Sequence, residues 1–337
     1  MRIAITADPL IPVPPQNYGG IERIIDFLVK GLIKQGHEVL LVAHHDSKID
    51  APLLSYKKNK NAFLSHVSNL QTIAKLKDFK PDIIHSFSRL AYLLPFMRSN
   101  VPKLMSYQRE PTLSQIKKSV KLAKLNSLSF TGCSNYITNQ IKPFAKAQTI
   151  YNGISLEIYK PKINIQVDSP LVFLGRIEPI KGTHIAIKVA LETKRKLIIA
   201  GNIPTEYQGY FDKQIAPFLN EQINYIGPVN DTQKNEILRN ANAFLMPILW
   251  NEPFGIVMAE AMACATPVIG FNRGSVPEVV LNGETGFTCN NIDEMINAVS
   301  KIDTIDRAKV REYCELNFSA DLIVDNYTDL YKSLLKD

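Results

Sequence analysis

The chain of 337 residues has few cysteines, and their spacing excludes two common ways of stabilising a fold. Its four cysteines are scattered without a Cys-x-x-Cys pair, at Cys133, Cys264, Cys289 and Cys314. A zinc ribbon requires such pairs, and so few thiols do not form a disulfide framework. We therefore expect reduced, mostly buried thiols.

Long apolar runs are also absent from the sequence. Runs such as Val39–Ala43 and Ala91–Met97 fall far short of the roughly 18 residues that a membrane-spanning helix needs. The first residues, MRIAITADPL, place a charge directly before a short strand-like run, which differs from the pattern of a signal peptide. The sequence thus predicts a cytoplasmic protein.

The composition is that of a soluble globular protein, and the length suggests two domains. Residues 1–160 contain 22 Lys and Arg against 10 Asp and Glu, a net charge of +12. Residues 161–337 contain 17 against 22, a net charge of −5. The basic first half, with its lysine-rich stretch Gln115–Lys124, can attract an anionic acceptor or the inner membrane face. A solvated, lysine-rich surface is the alternative.

The sequence repeats one pattern, in which a short apolar run is followed by a helical stretch. Strands are predicted over Ile3–Ala7, Val39–Ala43, Asp82–Phe87, Lys103–Tyr107, Ser129–Cys133, Leu171–Gly175, Leu197–Ala200, Asn224–Ile226, Ala243–Met246 and Val268–Gly270. Several are continuously apolar, which is typical of strands buried on both faces of a parallel sheet. Helices are predicted over Ile21–Lys34, Gln115–Leu125, Thr183–Glu192, Asp231–Asn240 and Ala320–Leu335. The pattern predicts two doubly wound α/β domains, with a hinge over Lys160–Pro170 and ligands at the carboxyl ends of the strands.

Two motifs have features of phosphate sites, although the chain has no Gly-x-Gly-x-x-Gly fingerprint. In YGGIER, Tyr18–Arg23, paired glycines allow close backbone approach and a helix begins at once. A plain loop-to-helix turn is the alternative. In LGRIEPIKG, Leu174–Gly182, the cations Arg176 and Lys181 can converge on one diphosphate. The alternative there is a surface pair between Arg176 and Glu178.

The segment Met246–Phe271 has the strongest pattern. A strand ends, a loop carries Glu252, and Phe254–Gly255 opens a helix that is apolar nearly all round. Such a helix is buried, so Glu260 on it needs hydrogen-bond partners, and the adjacent hydroxyls of a ribose are suitable ones. Glu252, beside the N–H groups of the helix start, can bind sugar hydroxyls. Alternatively, Glu252 caps the helix and Glu260 pairs with a structural Arg or Lys.

The two carboxylates form a Glu-x7-Glu pair. Together with the upstream Gly-Arg-x4-Lys motif and YGGIER, this pair resembles the retaining glycosyltransferases of family 4, which have the GT-B fold. The turn Tyr151–Gly153 is similar to the family's Asn-Gly segment, and the opening ADPLIPVPPxxYGGIER resembles the compact, antibiotic-type (avilamycin-like) branch. The resemblance covers essentially the whole chain.

The resemblance implies a division of the chain into two Rossmann-like, doubly wound parallel-sheet domains that face each other across a cleft. Residues 1–160 are then the acceptor-binding domain, and residues 161–318 are the domain that binds the nucleotide-sugar donor. The closing helix, within residues 319–337, is expected to pack back on the first domain.

The resemblance also implies roles for individual residues. Arg176 and Lys181 match the pair that binds the donor diphosphate and stabilises it as it leaves. Glu252 matches the carboxylate that contacts the donor sugar, and Glu260 the one that binds the nucleotide ribose. The other donor-binding positions are Gly19 and Gly20 in the N-terminal loop, Gly227 and Val229 near the base, and the N–H groups of Phe254, Gly255 and Ile256.

At one position the chain departs from the family pattern. Many members carry a histidine after the strand equivalent to Lys103–Tyr107, and here Gln108 holds that position. Glutamine can bind a sugar hydroxyl but cannot titrate. His85, near the end of another predicted strand, is the remaining histidine candidate for the catalytic site. A buried, hydrogen-bonded histidine is the alternative.

The activity implied is transfer of a sugar from a nucleoside diphosphate sugar, UDP- or GDP-linked, to an acceptor hydroxyl with retention of configuration. No metal or other cofactor is required, consistent with a chain that has no Asp-x-Asp motif. The expected partner is a glycan, lipid-linked or small-molecule acceptor, and no nucleic acid is expected. Two alternatives stay open: a nucleotide-sugar epimerase or isomerase on the same fold, and a non-catalytic sugar-nucleotide-binding protein.

Overall fold

The computed structural model describes residues 1–15, 19–57 and 62–336. The chain divides into two compact units. The first consists of Met1–Gly153 together with Ala320–Asp337, and the second of Ile154–Ser319. The segment Lys160–Pro170, predicted as a hinge, lies inside the second unit.

The described part of the first unit contains a seven-stranded parallel sheet in the order β3-β2-β1-β4-β5-β6-β7. Its strands are β1 (Arg2–Thr6), β2 (Glu38–Ala43), β3 (Leu53–Ser55), β4 (Ile83–Ser86), β5 (Lys103–Tyr107), β6 (Leu128–Gly132) and β7 (Ala147–Thr149). The connecting helices are α1 (Gly20–Lys34), α2 (Ala62–Ala74), α3 (Leu76–Phe79), α4 (Leu113–Leu122) and α5 (Asn135–Ile141), with a 3-10 helix over Leu90–Phe96.

The second unit contains a six-stranded parallel sheet in the order β10-β9-β8-β11-β12-β13. Its strands are β8 (Leu171–Leu174), β9 (Leu197–Ala200), β10 (Ile223–Tyr225), β11 (Ala243–Met246), β12 (Val268–Phe271) and β13 (Gly286–Cys289). The helices are α6 (Thr183–Glu192), α7 (Gln208–Gln214), α8 (Asp231–Arg239), α9 (Ile256–Ala263), α10 (Val276–Val279), α11 (Ile292–Lys301) and α12 (Arg307–Phe318), with 3-10 turns over Pro179–Lys181, Thr205–Tyr207, Ala216–Phe218 and Ile302–Thr304.

The prediction of two parallel-sheet α/β domains is confirmed. All ten predicted strands are present, with ends that differ by at most one residue. The three strands that were not predicted, β3, β7 and β13, lie at sheet edges and lack a fully buried apolar run. Helix α4 ends earlier than predicted because the backbone N–H of Lys124 donates to the carbonyl of Met97 at 2.8 Å, away from the helix.

The closing helix α13 (Ala320–Leu334) packs against α1 within the first unit. The helices approach closely at Gly31, where a Cβ atom would overlap the side chain of Val324. The Gln35 amide donates to Asp325 at 2.7 Å and accepts from the Thr328 hydroxyl at 2.7 Å. Among the described residues, no helix is both long enough and apolar enough to cross a membrane.

Strands β8 and β11 are neighbours in the second sheet, although β9 and β10 lie between them in the chain. At this pair the direction in which successive strands are added to the sheet reverses. In an open parallel sheet, the loops that leave two such strands diverge to opposite faces and open a crevice at their carboxyl ends. The segments that follow β8 and β11 carry Arg176, Lys181 and Glu252. The fold therefore brings these sequence motifs to the position at which open parallel sheets generally bind ligands.

Candidate functional site

Hydrogen bonds between backbones join three loops at the carboxyl edge of the second sheet. The N–H of Leu249, after β11, donates to the carbonyl of Ile180, after β8, at 2.8 Å. The N–H of Ser275, after β12, donates to the carbonyl of Glu252 at 2.9 Å. The backbone that carries Lys181 is thus tied to the loop that carries Glu252, and that loop is tied to a third.

Two glycines allow these loops to approach closely. Gly182 has a φ of +76°, and a Cβ atom there would overlap the carbonyl oxygen of Pro247. Gly274 has a φ of +58°, and a Cβ atom there would overlap the backbone of Glu252. Because side chains are excluded at both positions by conformation and by space, glycine is required for the loops to meet as they do.

Lys181, Trp250 and Glu252 form a contact triad in these loops. The Lys181 ammonium lies 3.0 Å from Oε2 of Glu252, and the Trp250 indole N–H donates to the same oxygen at 3.1 Å. The ammonium also lies 4.9 Å from the centre of the Trp250 ring, a cation–π distance. Glu252 does not cap α9, since the N-cap is Gly255 and it has no side-chain hydrogen bond.

Arg176 directly follows β8 and forms an ion pair with Glu178, at 3.0 Å between Nη2 and Oε1. This is the pair that the sequence left open as an alternative. The Glu178 side chain is buried, whereas 40% of the Arg176 side chain is exposed. The guanidinium is therefore anchored by a buried carboxylate, on a side chain that is partly exposed.

Glu260 lies on α9, which is buried nearly all round, as predicted from its composition. The Tyr159 hydroxyl donates to Oε1 of Glu260 at 2.7 Å, and the Lys234 ammonium donates to the same oxygen at 2.7 Å. Lys234 also donates to the Tyr159 hydroxyl at 3.0 Å. The structural lysine that the sequence allowed as a partner of Glu260 is thus present.

The predicted donor-binding residues Phe254, Gly255 and Ile256 lie in the segment that follows β11 and begins α9. Gly255 has a φ of +71° and begins α9, so the first N–H groups of this helix, including that of Ile256, have no carbonyl partner within the helix. Phe254 is buried against Phe318, with ring centres 5.6 Å apart.

The loop predicted to lie near the base follows β10 and contains Gly227 and Val229. Gly227 has a φ of +77°, and its carbonyl accepts from the N–H of Gly201 at 2.9 Å. The next residue after Val229, Asn230, caps α8 through a reciprocal capping box with Gln233. The loop therefore leads directly into the helix that carries Lys234.

In the first unit, Gly19 and Gly20 begin α1, and Tyr18 of the same motif lies outside the described residues. A Cβ atom at Gly19 would lie 2.6 Å from Cβ of Pro15 and 2.9 Å from Oε2 of Glu22. Burial raises the pKa of the Glu22 carboxyl above its usual value. The motif thus forms a tight loop-to-helix turn with a buried carboxyl group, which the sequence analysis had not singled out.

His85 is fully buried, and both of its ring nitrogens have partners. Nδ1 lies 2.6 Å from the Tyr331 hydroxyl and Nε2 lies 2.6 Å from Oγ of Ser106. Burial lowers the pKa of His85 to about 3, so the ring is neutral at physiological pH. These contacts favour the alternative of a structural histidine. Because both ring nitrogens are engaged by protein groups, nothing in the geometry supports the predicted catalytic role of His85.

Gln108 directly follows β5 in the first unit, at the position predicted. Its amide nitrogen Nε2 is buried and has no hydrogen-bond partner among the described residues. Beside it, Glu110 accepts a hydrogen bond from the Tyr136 hydroxyl. A buried amide without a partner is costly, so Gln108 is suited to donate to a bound group.

One group of potential metal ligands lies directly after β2 in the first unit, at His44, His45 and Asp46. Their ligand atoms lie within 4.8 Å of one another. The Asp46 N–H donates to Nδ1 of His44 at 3.2 Å, so this proximity has a local explanation. None of the three was predicted as a site residue.

Sequence reasoning missed Tyr159 and Lys234 as partners of Glu260. Tyr159 lies 101 positions and Lys234 26 positions away in the chain, so no local spacing connects them. A weak signal existed for Lys234, because a buried helical carboxylate requires a cation and α8 immediately precedes β11 in the chain. Sequence reasoning also did not identify the indole N–H of Trp250 as a partner of Glu252.

Comparison with known proteins matches both parts of the chain to family models. Residues 157–315 match the family model described as "Glycosyl transferases group 1", and residues 18–158 match that of "Glycosyltransferase Family 4". Spore coat protein SA of Bacillus subtilis (strain 168) is 22% identical over 98% of this chain and 99% of its own length.

Solved structures also share the fold, among them the following two. The crystal structure of AviGT4, a glycosyltransferase involved in avilamycin A biosynthesis, has a TM-score of 0.74 and 23% identity over 99% of this chain and 98% of that one. Anabaena Alr3699/HepE in complex with UDP and glucose has a TM-score of 0.76 and 16% identity over 99% and 100%. Since the two family models together cover residues of both units, the chain is a glycosyltransferase of the GT-B fold, similar to those of family 4.

Proposed function

We propose that this glycosyltransferase takes its sugar from a nucleoside diphosphate sugar and transfers it to an acceptor hydroxyl with retention of configuration, without a metal ion. The observation that supports this most directly is the contact between Lys181 and Glu252 at the β8–β11 switch point. It joins a cation suited to phosphate and a carboxylate suited to a sugar in one place.

The donor diphosphate is assigned to Arg176 and Lys181. Both cations follow β8 at the edge where ligands bind, and both hold a carboxylate oxygen at 3.0 Å. Arginine offers a planar fork and lysine a compact charge, and together they can neutralise the two phosphates as the nucleotide leaves. The N–H groups at the start of α9 add the positive end of a helix dipole. Two cations supply the charge that a divalent ion supplies elsewhere, which supports metal independence.

The donor sugar is assigned to Glu252. Glycosyl transfer passes through a transition state with positive charge on the sugar ring, and a nearby carboxylate stabilises that charge. Retention follows when the acceptor attacks from the face that the leaving group vacates. In this mechanism a phosphate oxygen of the donor takes the acceptor proton, so no side-chain base is required, and the enzyme acts mainly by positioning and charge.

The nucleotide is assigned to Glu260, for the ribose, and to the Gly227–Val229 loop, for the base. UDP is the first choice of nucleotide, because Anabaena HepE, which shares the fold, is described in complex with UDP and glucose. GDP is the second choice.

The acceptor is assigned to the basic first unit, with contact to an anionic membrane surface as a further proposal. Helix α4 exposes Lys118 and Lys121 beside the exposed apolar side chains Val120 and Leu122. Leu125, just after the helix, is 87% exposed. Lysines interleaved with exposed apolar residues favour the surface of an anionic bilayer. Sedimentation with anionic and with neutral vesicles tests this, and equal binding to both would contradict it.

A thermal-shift panel tests the donor proposal. The purified protein is melted with UDP, GDP or ADP, each with EDTA and with Mg²⁺, because a ligand of the folded state raises the melting temperature. We expect one nucleotide to raise it equally with and without the metal. The matching sugar nucleotides then test turnover by nucleotide release. A shift that requires Mg²⁺ would overturn metal independence, and no shift with any nucleotide would overturn the donor assignment.

A further inference from the structure

Among the residues that the structure describes, the carboxylate of Glu260 accepts hydrogen bonds on one oxygen only. Its two hydrogen bonds, from the Tyr159 hydroxyl and from the Lys234 ammonium, both end on Oε1 at 2.7 Å. A carboxylate oxygen offers about two lone-pair positions, so these donors use the capacity of Oε1. Oε2 is the oxygen that remains to accept from a ligand.

The charge of Lys234 is costly to bury in such a site. Only 14% of its side chain and 7% of that of Glu260 are exposed, so the pair is largely removed from water. Burying two charges is costly, and the cost is recovered only when the geometry is good and the remaining hydrogen-bonding positions are filled. The ammonium fills its own positions with Tyr159 and Glu260, and it lies 3.5 Å from Oδ1 of Asp231.

Helix α8 places Lys234 next to the loop predicted to bind the base. The capping box at Asn230 fixes the first turn of the helix, and the N–H of Lys234 donates to the carbonyl of Asn230 at 2.8 Å. The loop Gly227–Val229 ends one residue before that cap. A single short segment therefore carries the base loop and the cation that orients Glu260.

We propose that Lys234, assisted by Tyr159, is the positioning residue that makes the nucleotide site selective for ribose. It fixes Glu260 by Oε1 and turns Oε2 toward the ribose hydroxyls. Without Lys234 the carboxylate loses its counter-charge and one of the two hydrogen bonds to Oε1, so it rotates away from its ligand-binding orientation. This inference rests on the proposed function, because it assumes a nucleoside diphosphate at Glu260.

The test measures affinity by calorimetry for UDP and for its 2′-deoxy and 3′-deoxy forms. In the wild type, loss of the hydroxyl that donates to Glu260 removes a hydrogen bond to a charged group, and we expect affinity to fall by about tenfold or more. In Lys234→Met we expect UDP itself to bind at least about tenfold more weakly, and the ratio between UDP and its weaker deoxy form to fall below about threefold.

Three further variants separate positioning from stability. Lys234→Arg keeps the charge and is expected to restore the ribose selectivity. Tyr159→Phe removes one of the two hydrogen bonds to Glu260 with little change in volume. We expect it to give a ratio between UDP and its weaker deoxy form that is intermediate between wild type and Lys234→Met. This variant tests the inference if Lys234→Met does not fold. Lys188→Met, which replaces an exposed lysine of α6 in the same unit, is the matched control and is expected to keep the wild-type ratio.

The outcomes are distinct. A wild type that binds UDP but does not distinguish it from either deoxy form overturns this inference and leaves the donor site standing. A Lys234→Met protein that is less stable but keeps the wild-type ratio reduces Lys234 to a structural role and also overturns it. A wild type that binds none of UDP, GDP and ADP overturns the proposed function, and this inference with it.

Discussion

Lys181 and Glu252 share one contact, in which the lysine ammonium and the carboxylate oxygen Oε2 are 3.0 Å apart. The Trp250 N–H reaches the same oxygen. Glu260 repeats this arrangement, with Lys234 as the cation and a tyrosine hydroxyl as the aromatic donor. Each carboxylate of the Glu-x7-Glu pair therefore has one oxygen held by a lysine and an aromatic side chain. The other oxygen is oriented as a consequence, which is the preorganisation that a binding site requires.

Replacing Glu252 by glutamine is expected to separate turnover from nucleotide binding. The neutral amide keeps the shape of the side chain but cannot stabilise positive charge on the donor sugar. We expect the rate of nucleotide release from the sugar nucleotide to fall by about 100-fold or more, while UDP affinity stays within about threefold of wild type. Glu221→Gln, at an exposed glutamate of the same unit, should keep wild-type activity. An active Glu252→Gln enzyme would contradict the sugar-side assignment.

Replacing Lys181 by alanine is expected to weaken the interaction with phosphate specifically. A hydrogen bond between two charged groups contributes about 1.5–3 kcal/mol, so the affinity for UDP should fall by about tenfold or more. Uridine, which has no phosphate, should bind both proteins equally. Calorimetry with the two ligands checks this. An equal loss for uridine would indicate general damage to the unit, and unchanged UDP affinity would refute the diphosphate assignment.

Gly182 gives a test of how the loops are held. Alanine there must adopt a φ of +76° and overlap the carbonyl of Pro247, so we expect a loss of about 1–3 kcal/mol in the free energy of unfolding. The displaced loop should also weaken UDP binding, because Lys181 is the preceding residue. The matched control is Gly209→Ala in α7, where no atom lies within 4 Å of the added Cβ. Equal stability of the two variants, measured by chemical denaturation, would contradict the packing argument.

The fold could be predicted from the sequence more completely than the contacts within the site. Most of the ten predicted strands are buried apolar runs, and this property is visible locally; β10, with only Ile223 buried, is the exception. Strand β13 was missed because its GFTC segment, Gly286–Cys289, is short and half buried. The motif residues Lys181 and Glu252 were found because both lie in the loops that leave strands β8 and β11, and strand ends meet at one edge of a parallel sheet.

The partners of these residues were harder to predict. Tyr159 and Lys234 reach Glu260 only through the tertiary fold, and neither lies in a recognisable motif. For Arg176, the sequence supported both a phosphate role and a pair with Glu178, and the pair is present. The two are compatible, since a guanidinium has five N–H donors and a single carboxylate does not use them all.

His85 provides a prediction with a defined pH dependence. Its pKa is lowered by burial to about 3 in the folded protein, against an ordinary value of 6.5 that applies when the chain is unfolded. Between these values the unfolded chain binds a proton that the folded protein does not. The contribution of His85 to stability is therefore complete above pH 6.5 and is lost as the pH falls toward 3, by up to about 1.4 kcal/mol per pH unit.

The groups that face His85 do not titrate in this range, so the effect belongs to the histidine. Burial raises the pKa of Tyr327 to about 12 and that of Tyr331 well above its usual value. The variant His85→Gln loses the hydrogen bonds to Tyr331 and Ser106, and we expect it to be less stable than wild type by about 1–3 kcal/mol at pH 7.5. Because glutamine does not titrate, this difference should shrink at pH 6 and further at pH 4.5. Chemical denaturation at the three pH values measures it, and UDP affinity at pH 7.5 should equal that of wild type. A difference that does not change with pH would refute the buried neutral histidine, and a stable variant without transfer activity would instead return His85 to the catalytic site.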